Sequence, residues 1–128
     1  MAAAAVNRPH LPRRAPIDGY GSGGFRFGGM SHRGSLLCLP SGLWAWPVRR
    51  TADIDEAALA QVFAEADQIS LLLLGVGRDR WIVPAALQDQ FHERKLSIEV
   101  ARTGTAVSTY NILLGEGRRV AAALIAVE

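Results

Sequence analysis

Three groups of side chains have the types and spacing to do chemistry. Gly75-Val76-Gly77 follows an apolar run and precedes Arg78 and Arg80, so glycine N–H groups and two guanidinium forks could hold a carboxylate or a phosphate. The plain alternative is a tight strand exit with solvated charges, Asp79 weakening the pull between the two arginines. Thr103, Thr109, Tyr110 and Asn111 cluster at a later strand-to-helix junction, and Glu116 and Arg118 stand at that helix's exit. Asn is costly inside a helix unless its amide finds partners, so this cluster is either an internal lock, with Glu116 and Arg118 paired, or the lining of a polar pocket.

Hydrolytic chemistry would need a nucleophile with a base and an orienting group. Ser35 and Ser41 lack the strand–turn–helix elbow, and His10, His32 and His92 are scattered without partners. Cys38 is the only cysteine, which excludes an internal disulfide and a cysteine metal cluster, and its apolar strand predicts a buried, inert thiol. A dinucleotide fingerprint needs a third glycine at position 80, where Arg80 stands, and a Walker A loop is absent. No catalytic residue, metal ligand or cofactor is therefore assigned, and the non-enzymatic reading is preferred.

Around these groups the periodicities define the elements that must position them. Gly19–Gly29 holds glycines around alternating Phe25 and Phe27 and reads as a β-ribbon. Ser35–Leu39 and Trp44–Trp46 read as strands separated by a Pro40-Ser41-Gly42 turn. Asp53, with Glu56 three residues on, predicts the N-cap of a helix whose stripe is Leu59, Val62, Phe63 and Ala66. Residues 69–74 form a strand apolar on both faces, and Pro84 opens a helix carrying Leu87 and Phe91 that ends near Lys95. Residues 97–101 are a strand. The next helix spans about Thr105 to Leu114, with Thr103 as its cap and Gly115 as its left-handed stop. Residues 120–127 are apolar on both alternating sets, which predicts a central strand.

At 128 residues and 49% hydrophobic the chain suits one domain, and no apolar run approaches the length of a membrane span, so no membrane insertion is expected. The sequence pI near 9.2 misleads about nucleic acid. Three arginines and no acid occupy residues 1–16, leaving eleven basic against twelve acidic residues over 17–128 and no basic stripe along the chain. Residues 1–16, rich in Ala, Pro and Arg, read as a disordered tail, and 17–128 as a single α/β domain.

The run from Val100 to Leu124, with its Thr109-Tyr110-Asn111 and Glu116-Gly117-Arg118 blocks, resembles the carboxy-terminal signature of a small family. That family is known in mitochondria as complex I assembly factor 3 and in bacteria and archaea as a domain of unknown function. Gly24–Gly29 leading to Gly34–Leu37, and Leu73–Gly77, agree with it, so the resemblance covers about Ile17 to Val127. It implies three layers: a central mixed β-sheet, helices on both faces, and an N-terminal β-ribbon packed on one of them. The family often has an acidic residue before the threonine where this chain has Arg102, which argues against a metal or acid–base role at that point.

Two functional readings follow. One is a small accessory protein that binds other proteins, with respiratory complex I subunits or assembly factors as the partners the resemblance implies. Its location would be the cytoplasm in a bacterium or the mitochondrion in a eukaryote, and its oligomeric state is left open. The other is an anion-binding domain or enzyme using a cleft between residues 75–80 and 103–111.

Overall fold

Successive side chains of a strand face opposite sides of its sheet, so a strand apolar at every position belongs where both sides are covered. The computed structural model describes residues 8–128. In chain order it contains β1 (Gly19–Gly21), β2 (Gly24–Phe27), β3 (Met30–Arg33), β4 (Ser35–Leu39), β5 (Gly42–Trp46), α1 (Ala60–Ala64), β6 (Leu71–Gly75), α2 (Ala85–Glu93), β7 (Ser97–Ala101), α3 (Thr103–Gly115) and β8 (Val120–Leu124). All five residues of β8 are buried, and β8 is central in a five-stranded sheet of order β5-β4-β8-β6-β7. It runs antiparallel to β4 and parallel to β6, which in turn is parallel to β7. The strand is shorter than its apolar run because β6 ends opposite Leu124, so residues 125–127 leave the ladder.

The period of two sorts the core into two layers. Leu37, Leu72, Leu74, Ala121 and Ala123 meet Leu59, Val62, Leu87 and Phe91 from the α1 and α2 side. Leu36, Cys38, Leu73, Ala122 and Leu124 meet Ala106, Val107 and Tyr110 of α3 and Phe25 and Phe27 of the ribbon. Helices therefore cover both faces, as expected, and the alanines of β8 let both layers approach closely. The ribbon is a separate antiparallel sheet, β1-β2-β3, whose third strand extends beyond the expected range.

Three local expectations are corrected. The helix expected from Asp53 is only α1, flanked by single 3-10 turns at Thr51–Asp53 and Ala66–Gln68. Asp53 instead accepts the N–H groups of Arg49 and Arg50 at 3.1 and 3.2 Å, and Asp55 accepts that of Ala58 at 2.8 Å. Breaking the helix lets both Ile54 and Leu59 reach the core, while the Trp46 indole N–H donates to the Ala58 carbonyl at 2.8 Å. Pro84 is the N-cap rather than the first helical residue of α2. Helix α3 starts two residues early, and its left-handed stop is Gly117, at φ +75°, not Gly115. The N–H groups of Gly117 and Arg118 there donate to the carbonyls of Leu114 and Leu113, both at 3.0 Å.

Residues 1–7 of the expected tail lie outside the described residues, and from residue 8 the chain differs from the expectation of disorder. Leu11 forms an isolated antiparallel bridge with Leu43 of β5, the His10 N–H donates to the Leu43 carbonyl at 2.7 Å, and Ala15 and Ile17 are buried. The prolines forbid a regular strand there, but single backbone bonds to an existing sheet edge do not need one.

Candidate functional site

The carboxyl ends of the parallel strands β6 and β7 and of β8 converge on one residue. Thr103, in the first turn of α3, is fully buried. Its Oγ1 accepts the Gly77 N–H at 2.9 Å and donates to the Ile125 carbonyl at 2.7 Å, while its own N–H donates to the Gly77 carbonyl at 3.0 Å. One hydroxyl thus ties the exits of β6 and β8 to the start of α3. Gly75 is required beneath it: a Cβ there would lie 2.8 Å from Leu124 Cδ2 and 3.1 Å from the Thr103 Cα.

About two turns further along α3, the adjacent Tyr110 and Asn111 reach the segment before the ribbon. Asn111 accepts the Ile17 N–H through Oδ1 and donates to the Ile17 carbonyl through Nδ2, both at 2.8 Å, as a neighbouring strand would. The Tyr110 hydroxyl donates to the Ala15 carbonyl at 2.9 Å. Burial pushes both the Tyr110 phenol and the adjacent Cys38 thiol well above their usual ranges, so neither ionises near neutrality. Thr109 is half-buried beside them, and Glu116 and Arg118 are exposed, the helix exit being held by backbone instead of an acid–base pair. Thr103, Tyr110 and Asn111 accordingly bind three different segments and do not line one pocket.

The two expected loops do meet, above Thr103. An open cleft of about 670 Å³ is lined by Tyr20, Gly77, Arg78, Arg102, Gly104, Thr105, Ser108 and Val127. Arg78 donates to a main-chain oxygen of Glu128 at 2.9 Å, and no lining side chain carries a carboxylate. The N–H groups of Gly104 and Thr105, in the first turn of α3, have no intrahelical acceptor, since the helical ladder begins with the Ala106 N–H to the Arg102 carbonyl. Two guanidinium groups, two side-chain hydroxyls on α3 and a helix start together favour a carboxylate or phosphate. Of the residues singled out from sequence, Gly77 and Arg78 line this cleft, Gly75 is buried below it, and Arg80 is exposed on the loop beyond.

Arg102, Thr105, Ser108 and Tyr20 were not singled out as lining residues. The i, i+3 spacing of Thr105 and Ser108 places them on one helix face and could have found them. Tyr20 could not be found that way: it packs over Gly104, leaving no room for a Cβ, through a ribbon contact remote in sequence. Ser35 is the other buried polar residue among the described residues, and its Oγ accepts the Ala126 N–H at 3.0 Å, a structural rather than nucleophilic task. Among the described residues no group of three or more His, Cys, Asp or Glu side chains could hold a metal ion, and no helix is long and apolar enough to cross a membrane.

A mixed sheet covered on both faces, a ribbon closing one side and an open polar cleft at the strand ends define a small three-layer α/β domain. Comparison with known proteins narrows this to one family. A family model described as a protein of unknown function (DUF498/DUF598) matches residues 17–125, and the chain belongs to that family. It is 41% identical over 121 residues to an uncharacterised protein of Rhodobacter capsulatus, covering 94% of this chain and 92% of that one. It is 32% identical over 109 residues to NADH dehydrogenase (ubiquinone) 1 alpha subcomplex assembly factor 3 of Danio rerio, covering 85% of this chain but only 63% of that protein's length. A crystal structure from Bartonella henselae, described as an outer membrane protein, superposes with a TM-score of 0.89 at 45% identity, covering 93% of this chain and all of that one.

Proposed function

We propose that this protein is a non-catalytic accessory protein that binds other proteins and assists the assembly of respiratory complex I. The observation that carries this reading is the match to the assembly factor over 109 residues at 32% identity. The hydrogen bonding supports it, because the hydroxyls and amide at Thr103, Tyr110 and Asn111 are already engaged within the fold. The site of action is the bacterial cytoplasm, or the mitochondrion if the source is eukaryotic. Deleting the gene in the native host tests the idea. The amount of assembled complex I on a native gel should fall, with NADH:quinone oxidoreductase activity falling in step, and unchanged levels of both would reject it.

A second reading is favoured by a separate observation, the cleft where Arg78 and Arg102 face one another's loops without a lining carboxylate. It makes the protein a small-anion binder. Millimolar phosphate or a dicarboxylate should then raise the melting temperature of the wild type and not of an Arg78→Gln/Arg102→Gln variant. Equal shifts in both proteins would rule it out.

A further inference from the structure

The Arg78 cleft is one end of a longer feature. A second hollow of about 250 Å³ shares Gly77, Arg78 and Val127 with it and adds Arg49 and Arg50. A third, of about 710 Å³, shares Arg49 and Glu128 with the second and adds Arg33. The three run into one another around residues 126–128, at the carboxyl end of the parallel strands, and form a single groove bordered by five arginines, all exposed. Its lining includes two acids, Asp79 and Glu128. The concentration is local, because the rest of residues 17–128 carries six basic and ten acidic side chains. Gathering like charges around one groove works against folding through their mutual repulsion.

We propose that this groove is the docking surface for an acidic segment of a partner protein, in extended conformation, with successive Asp or Glu side chains paired to the arginines. The inference rests on the protein-binding reading above and names the chemistry of the partner. Guanidinium forks pair carboxylates in two-point geometry, and five spread along a groove suit repeated carboxylates better than one small anion. The arginines border recessed backbone, where a flat bilayer would touch only the rim. Of the exposed large apolar side chains among the described residues, Tyr20, Met30, Ile82 and Ile112, only Tyr20 lines the groove, so the described residues offer neither an apolar anchor for lipid nor a row of aromatics for stacking bases.

Fluorescence anisotropy on the full chain provides the test. The probes are a labelled Asp/Glu-rich peptide, the same peptide with Asn and Gln in place of the acids, a short single-stranded DNA, and phosphatidylglycerol vesicles. The acidic peptide should bind, the amide version should not, and affinity should fall as salt rises. Arg49→Glu/Arg78→Glu should weaken binding by about tenfold or more, Arg49→Gln/Arg78→Gln by less, and Arg118→Glu/Arg119→Glu, at the opposite end of β8, should leave it unchanged. Circular dichroism melts identify any variant that fails to fold, and the Gln pair then decides. The proposal is overturned if DNA or vesicles bind while the acidic peptide does not, or if the Arg118/Arg119 variant loses as much affinity as the groove variants. Tagged wild type and the Gln pair, used to capture complex I subunits from the host, separate the two levels of inference. Equal capture by both leaves the protein-binding reading standing and rejects the groove, whereas peptide binding without capture of those subunits supports the groove and rejects the assembly role.

Discussion

Arg102 and Thr103 are neighbours in sequence, and their side chains differ in every respect that governs function. Thr103 is fully buried, and its hydroxyl uses both a donor and an acceptor inside the protein. Arg102 is exposed at the mouth of an open cleft, where its charge is available to an outside partner. The contrast extends outward: Thr103, Tyr110, Asn111 and Ser35 form an inner polar set that closes the fold, and the arginines of the groove form an exposed outer set, of which Arg78 also reaches the Glu128 main chain. In this domain the polar residues most conspicuous in the helix are structural, and the ones free to act are loop charges.

Substitutions can break this comparison, and the largest effect is expected at Thr103. Thr103→Val keeps the shape but leaves the buried Gly77 N–H and Ile125 carbonyl without that partner, at a cost of about 2–4 kcal/mol. Urea denaturation measures it, with Thr103→Ser expected to retain most of the stability. A Val variant as stable as wild type would remove Thr103 from the inner set. Next comes Gly75→Ala, whose methyl would press on Leu124 and the Thr103 backbone and cost about 1–3 kcal/mol by the same measurement. Asn111→Ala should cost about 1–2 kcal/mol and speed amide exchange at Ile17, which would lose its acceptor.

His10 lies between the two sets. Its ring is 4.5 Å from that of His32 and 6.0 Å from Phe27, and partial burial, then the charge of His32, hold its pKa below the ordinary 6.5. The folded state therefore binds this proton less readily than the unfolded one, so stability is complete above about pH 6.5 and declines as pH falls through that value. The effect should be small and local. The protection of the Leu43 amide, whose N–H donates to the Leu11 carbonyl, should fall from pH 7.5 to 5.5 once the base-catalysed intrinsic rate is divided out, and His10→Gln should flatten that response. Smallest of all, Arg78→Gln and Arg102→Gln should change stability by no more than about 0.5 kcal/mol. A larger loss would move those arginines into the inner set.

Much of this architecture is legible along the chain. Strands β4, β6, β7 and β8 follow from their apolar patterns, and the central place of β8 follows from its having no polar face. The Gly75–Arg78 and α3 segments could be named as candidates because turn glycines and a mid-helix asparagine are unusual where they stand. Their division into lock and cleft was not legible: a threonine hydroxyl has the same local sequence whether it faces solvent or two backbone groups at strand exits 22 and 26 residues away. The break before α1 was hidden for a similar reason, since the helical stripe is real and only the need to bury Ile54 together with Leu59 interrupts it.

The sequence by itself determined the periods of its elements, the two apolar faces of β8 and, through the Thr109–Asn111 and Glu116–Arg118 blocks, the family. Only the tertiary structure decided that His10 and Leu11 border β5 and that arginines from positions 33 to 102 share one groove. Local patterns reflect which face of an element meets the core, whereas a charged groove comes from loops brought together by strand order. No stretch of the chain contains enough of those loops to reveal it.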